Sequence, residues 1–143
     1  MCIRDSWYGV YEPAKKELVY ACAGHPPALL ITTAKPSQPP TVQPLKTRGL
    51  PIGMFAEGRY GCDRISIPIH STLYLFSDGI FELPQPDGEI WGLPAFTESL
   101  QHFHAQGHPQ LDAILDKSKT ACTTAEFMDD LSLLQVHFTP DST

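Results

Sequence analysis

Two carboxylates stand where a carboxylate is costly to keep. Asp78 follows the apolar run Leu73-Tyr74-Leu75-Phe76 after a single serine, and Gly79 comes next. Asp129 and Asp130 precede a second run, Leu131-Ser132-Leu133-Leu134-Gln135-Val136. Runs of this length and type read as strands that a fold normally buries. A carboxylate at the mouth of such a strand sheds hydration and is commonly compensated by a cation. Two of them, supplied by distant parts of the chain, point to a hard divalent metal held by oxygen ligands at strand ends. No third carboxylate occupies a comparable setting.

The elements that must position these residues can be read from the period of the apolar positions. Tyr8-Gly9-Val10-Tyr11 reads as the end of a strand, Glu12 to Lys16 as a turn, and Glu17 to Cys22 as the returning strand of a hairpin. Ala23-Gly24-His25-Pro26-Pro27 is a stiff loop, and Ala28 to Thr32 a third strand. Ala34 to Pro44 carries Pro36, Pro39, Pro40 and Pro44 and reads as a surface connection. Gly49-Leu50-Pro51-Ile52-Gly53 is a shaped turn or short strand. Ile65 to Ile69 alternates like a strand at a sheet edge, ending near Pro68. Thr72 to Phe76 is the buried strand that delivers Asp78, and Leu131 to Phe138 the last strand. Between them the period becomes helical at Leu93, Phe96, Leu100 and Phe103, and again at Leu111, Ile114 and Leu115. Antiparallel strands, then two helices, then a strand predict an α+β layered fold.

Bulk properties narrow the function classes. The 143 residues are 42 % hydrophobic and 18 % charged, the balance of a globular chain long enough to bury a core. The formal net charge is -6 and the longest basic cluster is Lys15-Lys16, which argues against a nucleic-acid partner. No apolar run approaches the ~20 residues of a membrane span. The four cysteines, Cys2, Cys22, Cys62 and Cys122, form no Cys-x-x-Cys pair, so a reduced, cytoplasmic setting is expected. Cys22 reads as a small buried residue. His102, His104 and His108 run off a helix without a His-Glu-x-x-His motif and are expected to be a solvated helix end.

The first six residues are anomalous. Met1-Cys2-Ile3-Arg4-Asp5-Ser6 is what ATG-TGT-ATA-AGA-GAC-AG encodes, a string that matches a transposon-end adaptor used for sequencing libraries. Residues 1–6 are therefore expected to be adaptor-derived, residues 7–139 to be the C-terminal portion of a longer domain, and residues 140–143 a tail.

Five segments, in order, carry a resemblance. They are Tyr8-Gly9-Val10, Ala23-Gly24-His25-Pro26-Pro27-Ala28-Leu29-Leu30, Gly49-Leu50-Pro51-Ile52-Gly53, Leu73-Tyr74-Leu75-Phe76-Ser77-Asp78-Gly79-Ile80 and Asp129-Asp130-Leu131-Ser132-Leu133-Leu134. Together they resemble the SpoIIE/RsbU branch of the metal-dependent (PPM, type 2C) serine/threonine phosphatases. The resemblance implies an α-β-β-α sandwich, here partial because its N-terminal part is missing. It implies two Mn2+ or Mg2+ ions held by aspartates, with a metal-bound water attacking a phosphoserine or phosphothreonine. It implies that Asp78 and Asp129 are metal ligands, with Asp130 a less certain one. Gly79 would be the neighbour that lets the backbone pass close to the metal, and Gly24, His25 and Gly53 would be motif-shaping residues. The implied partner is a phosphorylated protein in bacterial signalling, an anti-sigma-factor antagonist being one such substrate, with a sensory or receiver domain upstream.

One part of the family pattern has no match. The family's Asp-x-x-Gly-His-Gly-like segment, which supplies the aspartate bridging both metals, is absent; Gly24-His25 belongs to the later motif. The chain alone is accordingly expected to show little activity and to be marginally folded, since losing the first strands of a sandwich bares strand edges. A second reading is a non-catalytic pseudophosphatase that binds a partner without turnover.

Overall fold

The computed structural model describes residues 4–35, 37–107, 110–122, 127 and 129–140. A three-stranded sheet has the order β1-β2-β5, with β1 Ser6–Glu12, β2 Glu17–Ala23 and β5 Cys62–Ser66. A four-stranded sheet has the order β4-β3-β6-β7, with β4 Thr41–Leu45, β3 Ala28–Thr32, β6 Ser71–Phe76 and β7 Leu133–Phe138. Helices α1 (Gly92–Gln106) and α2 (Leu111–Ala121) lie in the chain between β6 and β7. Every pairing between these strands is antiparallel.

The hairpin β1–β2 closes through a 3-10 turn at Pro13–Lys15. The ring of Pro13 presets its φ at the start of the turn. Lys16 adopts φ 51, and its N–H returns to the Pro13 carbonyl at 3.1 Å. The register Glu12↔Glu17 to Ser6↔Ala23 then puts Leu18, Tyr20 and Cys22 on one face, all buried. On the other face Tyr8 and Val10 remain 69 % and 52 % exposed.

Alternation within β3 and β6 divides the core in two. Leu29, Ile31, Tyr74 and Phe76 pack with Phe96 and Leu100 of α1 and Ile114 of α2. Ala28, Leu30 and Leu73 point the other way and pack with Leu18, Tyr20 and Ile67. The layers are therefore helices, four-stranded sheet, three-stranded sheet, which is the α+β, partial α-β-β-α arrangement expected. The indole of Trp7 in β1 crosses between the sheets and donates to the Leu45 carbonyl at 3.0 Å.

Four expectations are corrected in detail. The proline-rich stretch 34–44 is not wholly a connection, because β4 begins at Thr41. Pro44 is tolerated there since β4 is an edge strand with no partner on its free side. The strand expected at 65–69 is Cys62–Ser66, earlier by three residues, and it is an edge of its sheet. The last strand begins at Leu133, two residues later than read, because Ser132 makes only one main-chain bond to Ser77 and gives its own N–H to the Ser77 hydroxyl. His104 is not a solvated helix end: it is 7 % exposed and hydrogen-bonds Tyr74 through Nε2 at 2.8 Å. His108 lies outside the described residues.

Ser6 belongs to β1, and Arg4 exchanges two backbone hydrogen bonds with Ile52, at 2.9 and 2.6 Å.

Candidate metal-bearing site

The ladder between β6 and β7 ends at the pair Phe76↔Leu133. The next residues on each side carry the candidate ligands, so Asp78 and Asp129–Asp130 arrive at the same end of the sheet from opposite directions. Asp78 opens a 3-10 turn, Asp78–Ile80, and its carbonyl accepts from the N–H groups of Phe81 and Glu82 at 3.0 and 2.9 Å. These bonds anchor the backbone of Asp78 while its side chain faces solvent. Among the described residues the Asp78 carboxylate has no hydrogen-bond or ion-pair partner.

Gly79 is the point of contact between the two segments. A Cβ added there would lie 2.6 Å from the Asp130 carbonyl oxygen and 3.4 Å from that of Asp129. The obstacle is backbone, which cannot rotate aside. Only a residue without a side chain lets Asp78 come this near to Asp129–Asp130. The Asp129 carboxylate accepts the Asp130 N–H through Oδ1 at 2.7 Å. Asp129 and Asp130 are both exposed.

A serine links the same segments. The Ser77 N–H donates to the Ser132 carbonyl at 3.0 Å. The Ser77 hydroxyl donates to the Asp130 carbonyl at 3.0 Å and accepts from the Ser132 N–H at 2.8 Å. Sequence reasoning did not single out Ser77. Its signal was a hydroxyl immediately before Asp-Gly, and the partner at 132 is legible only once the strand register is known.

The donor chemistry fits a hard divalent ion: exposed carboxylate oxygens, with the Asp78 pair engaged by nothing. The number of donors falls short of a closed site. Among the described residues no three His, Cys, Asp or Glu side chains form a group that could hold a metal.

The two glycine-rich motifs of the sequence pack on each other. Gly24, at φ +69, donates its N–H to the Gly49 carbonyl at 2.9 Å, and a Cβ on it would run into the Pro51 ring. Gly53 turns the chain at φ 89. Cys22 is buried, and its thiol donates to the His25 carbonyl at 3.1 Å. His25 Nδ1 lies 2.8 Å from the Pro26 carbonyl. A carbonyl only accepts, so Nδ1 carries the proton. His25, Trp7, Ser77 and Leu134 line a cleft of about 280 Å³ that begins where β6 ends. His25 thus sits at the same end of the molecule as Asp78, held by its loop.

Behind the site the sheet is braced by a buried polar chain. Gln135 Nε2 donates to the Tyr74 hydroxyl at 2.7 Å, and Tyr74 in turn meets His104 of α1. Burial pushes the Tyr74 phenol up to about 12, opposed by the Gln135 hydrogen bond. Burial and the nearby Asp63 carboxylate also raise Tyr20.

The layered sandwich is shared with known proteins. The family model for stage II sporulation protein E (SpoIIE) matches residues 5–139. The chain belongs to the SpoIIE family. Among solved structures, it is similar to the phosphatase domain of the cell-fate determinant SpoIIE from Bacillus subtilis in an Mn-presoaked form. That match has 16 % identity and a TM-score of 0.65, covering 97 % of this chain and 58 % of the other. It is similar to the SiaA-PP2C domain of Pseudomonas aeruginosa, with 21 % identity and a TM-score of 0.75, covering 94 % and 51 %. A Mycobacterium tuberculosis structure of RsbU and RsbW domains matches at 23 % identity and a TM-score of 0.70, covering 96 % and 37 %. These likenesses establish the fold. The chain spans between about a third and three fifths of the length of these structures. By sequence, no curated protein matches the chain.

Proposed function

We propose that this chain supplies the C-terminal part of a metal-dependent protein serine/threonine phosphatase. Asp78 and Asp129 are its metal ligands, and Asp130 is an auxiliary one. The observation that carries this reading is the approach of Gly79 to Asp130, which brings the backbones of the two carboxylate-bearing segments together; among the described residues no ion pair engages either segment. Family membership supports it independently. Mn2+ or Mg2+ bound there would activate water and neutralise charge on the transferring phosphoryl group.

The chain's own residues do the rest. Asp78 presents two unengaged oxygens from a backbone pinned by the turn, so the backbone ordering cost is met before a metal arrives and only the side-chain rotamers remain to be fixed. The cleft beside it, apolar at Trp7 and Leu134 and polar at Ser77 and His25, would receive the substrate residue next to the phosphate. The substrate is a phosphorylated protein of a bacterial signalling pathway. The presence of RsbU and RsbW domains in the Mycobacterium tuberculosis structure supports a regulatory partner, and an anti-sigma-factor antagonist is the substrate we propose. The cysteine usage supports a site that acts in the cytoplasm.

The remaining metal ligands would come from sequence upstream of Trp7, in a segment of the Asp-x-x-Gly-His-Gly kind. The test is to read the source DNA upstream of the Trp7 codon, express the extended protein and assay a phosphoserine peptide with Mn2+. Turnover abolished by Asp78→Asn supports the reading. Genomic codons for Met1 to Ser6 behind a ribosome-binding site, with no turnover, would favour a partner-binding module instead.

A further inference from the structure

We propose that Ser77 is the positioning residue that takes Asp78 out of the sheet and sets its distance from Asp129. The proposal rests on the metal-ligand reading above.

In an antiparallel ladder a hydrogen-bonded pair exchanges two backbone bonds, each N–H meeting the other residue's carbonyl. Ser77 and Ser132 are the pair that follows Phe76↔Leu133, and they make only one of the two. The Ser77 N–H meets the Ser132 carbonyl at 3.0 Å. The Ser132 N–H does not return to the Ser77 carbonyl; it is taken by the Ser77 hydroxyl at 2.8 Å. A side-chain oxygen thus replaces the main-chain oxygen of its own residue.

Two consequences follow from that replacement. The Ser77 carbonyl is released from the ladder and accepts from the Ile80 N–H at 3.3 Å, closing the 3-10 turn on which Asp78 sits. The hydroxyl proton is free to donate, and it goes to the Asp130 carbonyl at 3.0 Å. That bond holds Asp130 in the position that Gly79 must clear. One hydroxyl therefore ends the ladder, starts the turn and fixes the far segment. Alanine at 77 would leave the Ser132 N–H without its acceptor, and the ladder would regain it by recapturing the Ser77 carbonyl. The turn would open and Asp78 would fall back into strand register, out of the turn that brings its backbone beside the Asp129–Asp130 segment.

The experiment compares the wild-type chain with Ser77→Ala and Ser77→Thr, first without metal and then with Mn2+ alone. Without metal, backbone chemical shifts of residues 78–80 and hydrogen exchange at the Ser132 amide are read. Ser77→Ala is expected to move residues 78–80 toward extended values and to change exchange at Ser132, while Ser77→Thr, which keeps the hydroxyl, retains both. With Mn2+, affinity is read from water-proton relaxation. Ser77→Ala is expected to bind about tenfold more weakly and Ser77→Thr to stay within about twofold, the range in which partners that orient a ligand act. Unchanged turn shifts and Ser132 exchange in Ser77→Ala would overturn the proposal, as would unchanged Mn2+ affinity in a folded Ser77→Ala. If the wild-type chain binds no Mn2+ at all, the metal reading fails, and the metal-free arm alone decides the role of Ser77.

Discussion

At the scale of single residues, the site is shaped by what is missing from one of them. Gly79 has no side chain, and the space a methyl group would take is already occupied by the Asp130 carbonyl, 2.6 Å from the Cβ position. Strain from overfilling a packed position is worth ~1–3 kcal/mol where the neighbour can shift. Here the neighbour is main chain tied to Ser77, so relief requires the two segments to separate. Gly79→Ala is therefore expected to lower stability by about that amount, measured by urea denaturation. It should also weaken Mn2+ binding, since separation moves Asp78 away from Asp129. An alanine variant with wild-type stability and affinity would mean that the close approach is incidental. Asp78 itself was recognisable from sequence, because a carboxylate beside a buried strand and before glycine is chemically unusual. Ser77 was not, because its importance lies in which strand it faces, and composition does not record register.

At the scale of elements, α1 is joined to the site-bearing strands through a polar chain inside the core. Tyr74 of β6, His104 of α1 and Gln135 of β7 meet at a phenol that is fully buried. The neutral phenol is the form the fold accommodates, and its ionisation is pushed from 10.0 to about 12. A group whose folded value is raised contributes stability that is complete below the unfolded value and lost as the pH climbs through the folded one. The fold should therefore weaken between about pH 10 and pH 12, by on the order of 2 kcal/mol from this residue. Tyr74→Phe should be less stable at neutral pH, having lost its hydrogen bonds, but should show a shallower decline over that window. Urea midpoints at pH 9 and pH 11 for both proteins check this; equal slopes would show that Tyr74 does not carry the dependence. The same helix shows what periodicity could and could not reveal. Phe96, Leu100 and His104 are four apart, one continuous stripe, and all three are buried. The stripe was legible as far as Leu100. His104 was read as solvated because a histidine near a helix end usually is, although its place in the stripe pointed inward. Strand Ala28–Thr32 matched its reading residue for residue, since all its apolar positions are buried and flanking prolines mark its start. Strand Thr41–Leu45 was hidden by prolines that only an edge strand accepts.

At the scale of the whole molecule, the layers are complete on one side and open on the other. Helices cover the four-stranded sheet, whereas Tyr8 and Val10 on the outer face of the three-stranded sheet are exposed. The candidate metal end follows the same pattern: two carboxylate segments are in place, and among the described residues no group of three or more donors forms there. Layer order and the family were legible because five motifs fall in sequence order, and the meeting of the Asp78 and Asp129 segments was expected; the contacts that join them, Gly79 and Ser77 against Asp130, were not, since they depend on how β6 and β7 pair. These segments, far apart in the chain, are proposed to form one metal site. The most direct measurement is an Mn2+ titration of the isotope-labelled chain followed by amide line broadening, which reports proximity to the paramagnetic ion even when binding is weak. Amides of residues 77–80 and 129–132 are expected to broaden together at the same Mn2+ concentration, and Asp78→Asn to abolish the effect in both. Broadening of one segment without the other, or broadening spread over the acidic surface and unaltered by Asp78→Asn, would contradict a single shared site.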